Sequence, residues 1–214
     1  MVPRSVVVTA VVAALVTVGA LAGVASLRDR GEAPRLEAAA PAISQQGSSA
    51  ECGNGPCRTL TTQSVDGARV ELLADAAGGN GRFQSGGQVI QTSITELGAR
   101  LDTNSLSCVA ASVSACLVTA PLNGGRLGEL LVDRGGDWRS MDKPYFSTAG
   151  VVVLGDVLGT DAPEVTVVES SPVLARMYGL DGAVLGCTRT YTYLSQLRGW
   201  PDVRLSASDV RRCS

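Results

Sequence analysis

The sequence predicts a mainly β fold, a set of short strands and hairpins forming a sandwich or a partial propeller-like array, preceded by one transmembrane helix. Three observations carry this reading. Beyond residue 50 the apolar residues fall in short runs rich in Val, Leu and Ile, bounded by Gly, Asp, Asn and Pro. Asp-Gly and Asn-Gly pairs precede several of these runs, and such pairs tolerate the positive φ that tight hairpins require. Residues 5–27, finally, run for 23 positions without a charge, between Arg4 and the Arg28-Asp29-Arg30 cluster. As a helix that stretch reaches about 34 Å, enough to cross a hydrocarbon core about 30 Å thick.

In chain order, residues 1–4 are expected to form a short cytoplasmic tail and residues 5–27 a single-pass membrane anchor. A cleaved signal peptide is the alternative, because Ala20-Leu21-Ala22 offers a small-x-small cleavage site. Residues 28–50 are rich in Ala, Pro, Ser and Gln without apolar periodicity and read as a flexible tether. The folded unit is expected over residues 51–214, long enough to bury a core of its own. Counting Lys and Arg on the two flanks of the apolar run mildly favours a cytoplasmic domain. The cysteines outweigh that count: all six lie C-terminal to the run, an even number that fits an oxidising compartment. Residues 28–214 are therefore placed outside the membrane, with secretion as the alternative location.

Strands are expected over residues 68–73, 88–94, 106–110, 127–132, 151–154, 165–168, 173–178 and 183–185, where apolar runs are bounded by turn residues. Helical signals are few. Ser206-Ala207-Ser208-Asp209 suits a capped turn near the C-terminus, and residues 190–197 have weak helical spacing. Asp66-Gly67, Asn123-Gly124 and Asp181-Gly182 recur at spacings of 57 and 58 residues. A propeller repeat of that length is weighed and set aside as coincidence, since the flanking residues match poorly and three blades do not close a standard propeller.

Composition narrows the chemistry. Residues 31–214 hold 15 Lys or Arg against 19 Asp or Glu, so no nucleic-acid partner is expected. The chain has no histidine, which removes the usual general base of Ser/His/Asp and Cys/His sites and the commonest zinc or copper ligand. A Ser-Lys dyad would have to use Lys143, the one lysine, which sits in a proline turn beside Asp142. A pair of carboxylates could support a hydrolase, but nothing in the sequence singles one out. No catalytic residue is assigned, and the function read from sequence is binding or architecture at the cell envelope.

The cysteines are expected to pair as nearest neighbours, Cys52 with Cys57 around Gly53-Asn54-Gly55-Pro56, Cys108 with Cys116 across a hairpin, and Cys187 with Cys213 to pin the C-terminal tail. Fifteen connectivities are open to six cysteines. No Cys-x-x-Cys spacing is present to suggest a metal site or a redox pair. Trp138 and Trp200 both lie beside turn residues. Each is read as covering an end of the β core, with an exposed binding anchor as the alternative.

One segment carries a family resemblance. Asp156-Val157-Leu158-Gly159-Thr160-Asp161-Ala162-Pro163-Glu164-Val165 resembles the calcium loop of FG-GAP or VCBS repeats. The resemblance implies Asp156 and Glu164 as first and last ligands, with Asp161 nearby. Leu158 and Thr160 stand where that family places further carboxylates, and Asp161 stands where it places glycine. Calcium takes six to eight oxygens, so the expectation is a structural turn, or at most a weak calcium site, and no other cofactor. At the level of the whole chain, the apolar run, the tether, the Cys52 to Cys57 loop and residues 186–191 resemble exported or single-pass membrane proteins of high-GC Gram-positive bacteria. That likeness implies a location and no activity; the partners expected are the cell membrane and an unidentified envelope component.

Overall fold

The computed structural model describes residues 51–213. The expected tail, membrane segment and tether at residues 1–50 lie outside the described residues. Among the described residues, no helix is long and apolar enough to cross a membrane.

The described residues are mainly β. A two-residue hairpin, β1 (Glu51–Cys52) with β2 (Gly55–Pro56), is clipped by the Cys52–Cys57 disulfide. Then come three antiparallel sheets in chain order, each open. The first is β3 (Arg58–Val65), β4 (Ala68–Ala74), β5 (Arg82–Ser85) and β6 (Gln88–Gln91), each strand paired with the next. A single helical turn, α1 (Ser93–Glu96), leads to the second sheet. This contains β7 (Leu106–Val109), β8 (Ala115–Leu122), β9 (Gly125–Asp133), β10 (Trp138–Ser140) and β11 (Tyr145–Ser147), with β10 and β11 both pairing along β9. The third is β12 (Val152–Gly155), β13 (Glu164–Ser170), β14 (Val173–Tyr178) and β15 (Val184–Cys187). Single 3-10 turns at Leu194–Gln196 and Ala207–Asp209 follow.

The sheets stack face to face because the central one is apolar on both sides. Successive strand residues point to opposite faces, and along β8 and β9 both sets are buried. Cys116, Val118, Ala120, Leu127 and Leu131 join Val70, Leu72 and Phe83 in a core between the first and second sheets. The alternate residues Ala115, Leu117, Leu130 and Val132 join Val152, Leu154, Val165 and Val167 in a core between the second and third. At about 1.5–3 kcal/mol for each fully buried Leu or Val side chain, the two faces of β8 and β9 are the main source of cohesion between the sheets.

The ends of the stack are closed differently. On the first sheet, the face away from the core carries Thr62, Arg69, Glu71, Arg82, Gln84 and Gln91 beside Leu73 and Val89, and is mainly polar. On the third sheet, Val168 and Ala175 pack against Leu197 and Val203 of the C-terminal segment. That segment is held by the Cys187–Cys213 disulfide, across 26 residues, and by paired backbone hydrogen bonds of 2.8 Å between Cys187 and Arg211. Closing a loop of that length stabilises by about 3–4 kcal/mol in a chain-entropy account.

Two glutamine side chains tie the first sheet to the second by imitating strand edges. Gln63 of β3 donates from Nε2 to the Leu106 carbonyl at 2.8 Å and accepts the Cys108 N–H at 3.1 Å. Gln88 of β6 does the same to one residue, donating to the Trp138 carbonyl at 2.7 Å and accepting its N–H at 2.9 Å. The backbone groups of β7 and β10 that face the first sheet thus find partners despite having no neighbouring strand. A buried carboxylate, Glu129 of β9, adds a third tie by accepting the Ile94 N–H at 3.3 Å and the Ser140 hydroxyl at 2.6 Å.

Several expectations change. The strand expected over 88–94 ends at Gln91, and Ile94 enters α1, where its side chain is fully buried in the first core. The helical spacing at 190–197 yields only the turn Leu194–Gln196; the Gln196 side chain accepts the N–H groups of Thr192 and Tyr193 and closes it. The turn near 206–209 forms as read, with Asp209 accepting both the N–H and the hydroxyl of Ser206. Asp66-Gly67 and Asn123-Gly124 adopt the positive φ pairs expected of tight hairpins. They join strands one and two of the first sheet and strands two and three of the second, while Asp181-Gly182 joins strands three and four of the third. Their even spacing is therefore out of phase with the sheets and marks no structural repeat. The sheets themselves begin at Arg58, Leu106 and Val152, which is offsets of 48 (58 to 106) and 46 (106 to 152) residues.

Close approach of the second and third sheets depends on Gly128. A Cβ placed there would lie 2.8 Å from Val152 Cγ1 and 3.3 Å from Leu117 Cδ1. Gly128→Ala is expected to destabilise the domain by about 1–3 kcal/mol through overpacking. In a thermal-melting cycle with Val152→Ala, the double variant should lose less than the sum of the single losses. Additive losses would show that the two positions do not meet.

Candidate functional site

The connections between the second and third sheets form two neighbouring depressions on either side of the β14–β15 hairpin, with Asp181 lining both. The larger, about 540 Å³, is lined by Val113, Asp133, Arg134, Pro163 and Leu180 among others. The second, about 440 Å³, concentrates the rarer chemistry. Three of the chain's eight aromatic residues line it, Tyr145, Phe146 and Tyr178, together with Lys143, Glu169 and Asp181.

Strand register places these rings. Tyr145 stands opposite Gly128 across the β9–β11 pairing, where the partner has no side chain, and Tyr178 stands opposite Val165 across β13–β14. The two tyrosine rings meet with centroids 5.1 Å apart and planes inclined at 55°, a tilted arrangement that aromatic quadrupoles favour. Burial pushes the Tyr145 hydroxyl up to about 12, with Tyr178 and Asp181 adding to the shift, and burial also raises Tyr178. Both rings stay neutral across physiological pH and offer a hydroxyl that can donate and accept.

The charged groups at this groove are largely committed. Glu169 pairs with Arg176 at 3.2 Å, and Asp181 accepts the Ala183 N–H at 2.9 Å. Lys143 is exposed in the loop between β10 and β11, the solvated setting expected of it. The arrangement offers ring faces, neutral hydroxyls and a charged rim, which are the elements of recognition.

The calcium-like loop lies between β12 and β13, and its carboxylates turn to the chain itself. Asp156 Oδ1 accepts the Gly159 N–H at 2.7 Å. Glu164, 1% exposed, accepts the Val157 N–H at 2.8 Å through Oε2 and the Thr160 hydroxyl at 3.0 Å through Oε1. Asp161 contributes its backbone carbonyl, which accepts the N–H and the hydroxyl of Ser112 from the β7–β8 loop. Among the described residues no group of three or more His, Cys, Asp or Glu is arranged to hold a metal ion. The geometry is that of a turn closed by its own polar side chains.

All six cysteines are paired as expected: Cys52–Cys57, Cys108–Cys116 and Cys187–Cys213. Trp138 is buried against Phe83, ring centroids 5.0 Å apart, and Trp200 packs with the C-terminal cluster on the third sheet. Both tryptophans therefore cover core. Sequence reasoning missed the tyrosine pair. The available signal was a Tyr-Phe step after Pro144 in a chain poor in aromatics, and it does not reveal that Tyr178 folds back to meet Tyr145.

Glu164→Ala is expected to lower stability by about 1–3 kcal/mol, because the Val157 N–H loses its acceptor. The loss in melting temperature should be the same in millimolar calcium and in chelator. A stabilisation of the parent protein by calcium, abolished by the substitution, would instead establish a cation site in this loop.

Comparison of the chain with protein-family models, with curated proteins and with solved structures finds no match.

Proposed function

We propose that this chain is an extracytoplasmic binding module of the cell envelope, anchored through residues 5–27, carried on residues 28–50, and engaging an envelope component through the Tyr145–Tyr178 groove. Three closed disulfides support an oxidising location. The three meanders, stacked in chain order, suit a partial propeller-like array with a polar face at one end and a strapped face at the other. The observation that carries the binding reading is the gathering of scarce aromatics in one groove. Ring faces beside neutral hydroxyls and charged edges fit a ligand with apolar faces and hydroxylated edges, the chemistry of a sugar ring in an envelope polysaccharide. The alternative of a carboxylate-based hydrolase draws no support from Glu169 and Asp181, since each already has a partner. Secretion rather than anchoring is distinguished by the N-terminal residue of the mature protein.

The test is co-sedimentation of the full-length chain with purified cell-wall polysaccharide. Tyr178→Leu keeps apolar bulk and removes the ring, so it should reduce retention at least tenfold while circular dichroism and the disulfides stay unchanged. Equal retention of the folded variant and the parent, or no retention of the parent, contradicts the proposal.

A further inference from the structure

A third cavity, elsewhere along the interface between the second and third sheets, shares no lining residue with the two depressions described above. It has a volume of about 350 Å³ and is lined by Asn104, Ser107, Thr119 and Arg126, by the aliphatic residues Leu117 and Val152, and at Pro201-Asp202 by the C-terminal segment. Arg126 sits near the start of β9 and is half-buried. Among the described residues its guanidinium is held by neutral acceptors: Nε donates to the Gly150 carbonyl at 3.1 Å and Nη1 to the Thr119 hydroxyl at 3.2 Å. The ion pairs of the described residues, Arg69–Glu71, Arg139–Asp137, Arg176–Glu169 and Arg198–Asp209, do not include it.

A partly desolvated guanidinium without a carboxylate is costly, and this one is fixed in direction by two hydrogen bonds. Both Nη2 protons and one Nη1 proton have no acceptor among the described residues. These donors form the planar fork that takes a carboxylate in two parallel hydrogen bonds. The hydroxyls and amide nearby can serve the same oxygens, while the half-buried Val151 and Val153 give the cavity an aliphatic wall. Asp202, exposed and not paired with Arg126, disfavours an ion carrying more than one negative charge. We propose that this cavity binds the carboxylate of a small aliphatic molecule, either a free acid or a peptide C-terminus, with Arg126 as the anchor.

The experiment uses the full-length chain and follows amide resonances of Thr119, Arg126 and Gly150 by NMR. Isovalerate stands for the free acid and the tripeptide alanyl-alanyl-valine for the peptide terminus, each beside its amide. At least one of the two carboxylates is expected to shift these resonances in a saturable way at millimolar concentration, and which one does so identifies the source. The amides should cause no such shift. Arg126→Gln is expected to lose at least tenfold in affinity. Arg126→Lys, which keeps the charge and loses the fork, should also bind more weakly and provides a folded variant if the glutamine variant misfolds. Binding of neither carboxylate, equal binding of the amides, or undiminished binding by both variants overturns the proposal.

Discussion

Burial of the central sheet on both faces is the constraint on which the remaining structure depends. A sheet exposed to water on one side alternates apolar and polar residues, but β8 and β9 are buried along most of their length on both. Such a sheet is stable only when both faces are covered, and each cover is itself a four-stranded antiparallel sheet with one face to protect. The outward face of the first sheet is mainly polar, with Leu73 and Val89 among charged and amide side chains, and carries no further layer among the described residues. That of the third sheet is apolar around Val168 and Ala175, so the C-terminal segment must lie across it, and the Cys187–Cys213 disulfide keeps it there. The order of the layers thus follows from where apolar residues run continuously and where they alternate.

Polar side chains fix the geometry that apolar contact leaves loose. Gln63 and Gln88 clamp opposite edges of the first sheet to the second, each through a matched donor and acceptor. Ser147 joins the second sheet to the third by donating to the Val168 carbonyl while accepting the Val151 N–H at 2.9 Å. Glu129 and Glu164, both 1% exposed, are satisfied by backbone N–H groups and hydroxyls rather than by cations. Buried polar groups so satisfied specify one arrangement of the layers at little cost. The same economy explains the calcium-like loop, where the carboxylates of Asp156 and Glu164 act as acceptors for their own turn.

Much of this was legible in the residues, and the gaps have physical reasons. The strands over the expected apolar runs, the hairpins at Asp66-Gly67 and Asn123-Gly124, and the pairs Cys52–Cys57 and Cys108–Cys116 followed from local chemistry, because turns and short loops are local. Cys187–Cys213, across 26 residues, followed only from nearest-neighbour pairing, and the central strand Ala115–Leu122 lies outside the expected strands. The strand Arg58–Val65 was invisible to apolar patterning: its sequence is mostly Thr, Gln and Ser, and its inward Gln63 is polar because it serves the neighbouring sheet. Arg82–Ser85 was missed for a similar reason, with Phe83 its one large apolar residue. The candidate sites were the least legible. Tyr145 and Tyr178 meet only because the second and third sheets stack, and Arg126 stands out because no carboxylate among the described residues pairs with it. Neither fact exists before the fold does.

Both the tyrosine groove and the Arg126 cavity lie where the second and third sheets meet, so the recognition proposed for each depends on that stacking. The account stands on the central sheet being the last part of the domain to open. Native-state hydrogen exchange of the full-length chain tests it most directly. Amides of β8 and β9 are expected to exchange slowest, at a rate set by global unfolding, with the outer strands β6 and β15 opening at lower free energy. Equal or faster exchange in β8 and β9 than in those outer strands would contradict it.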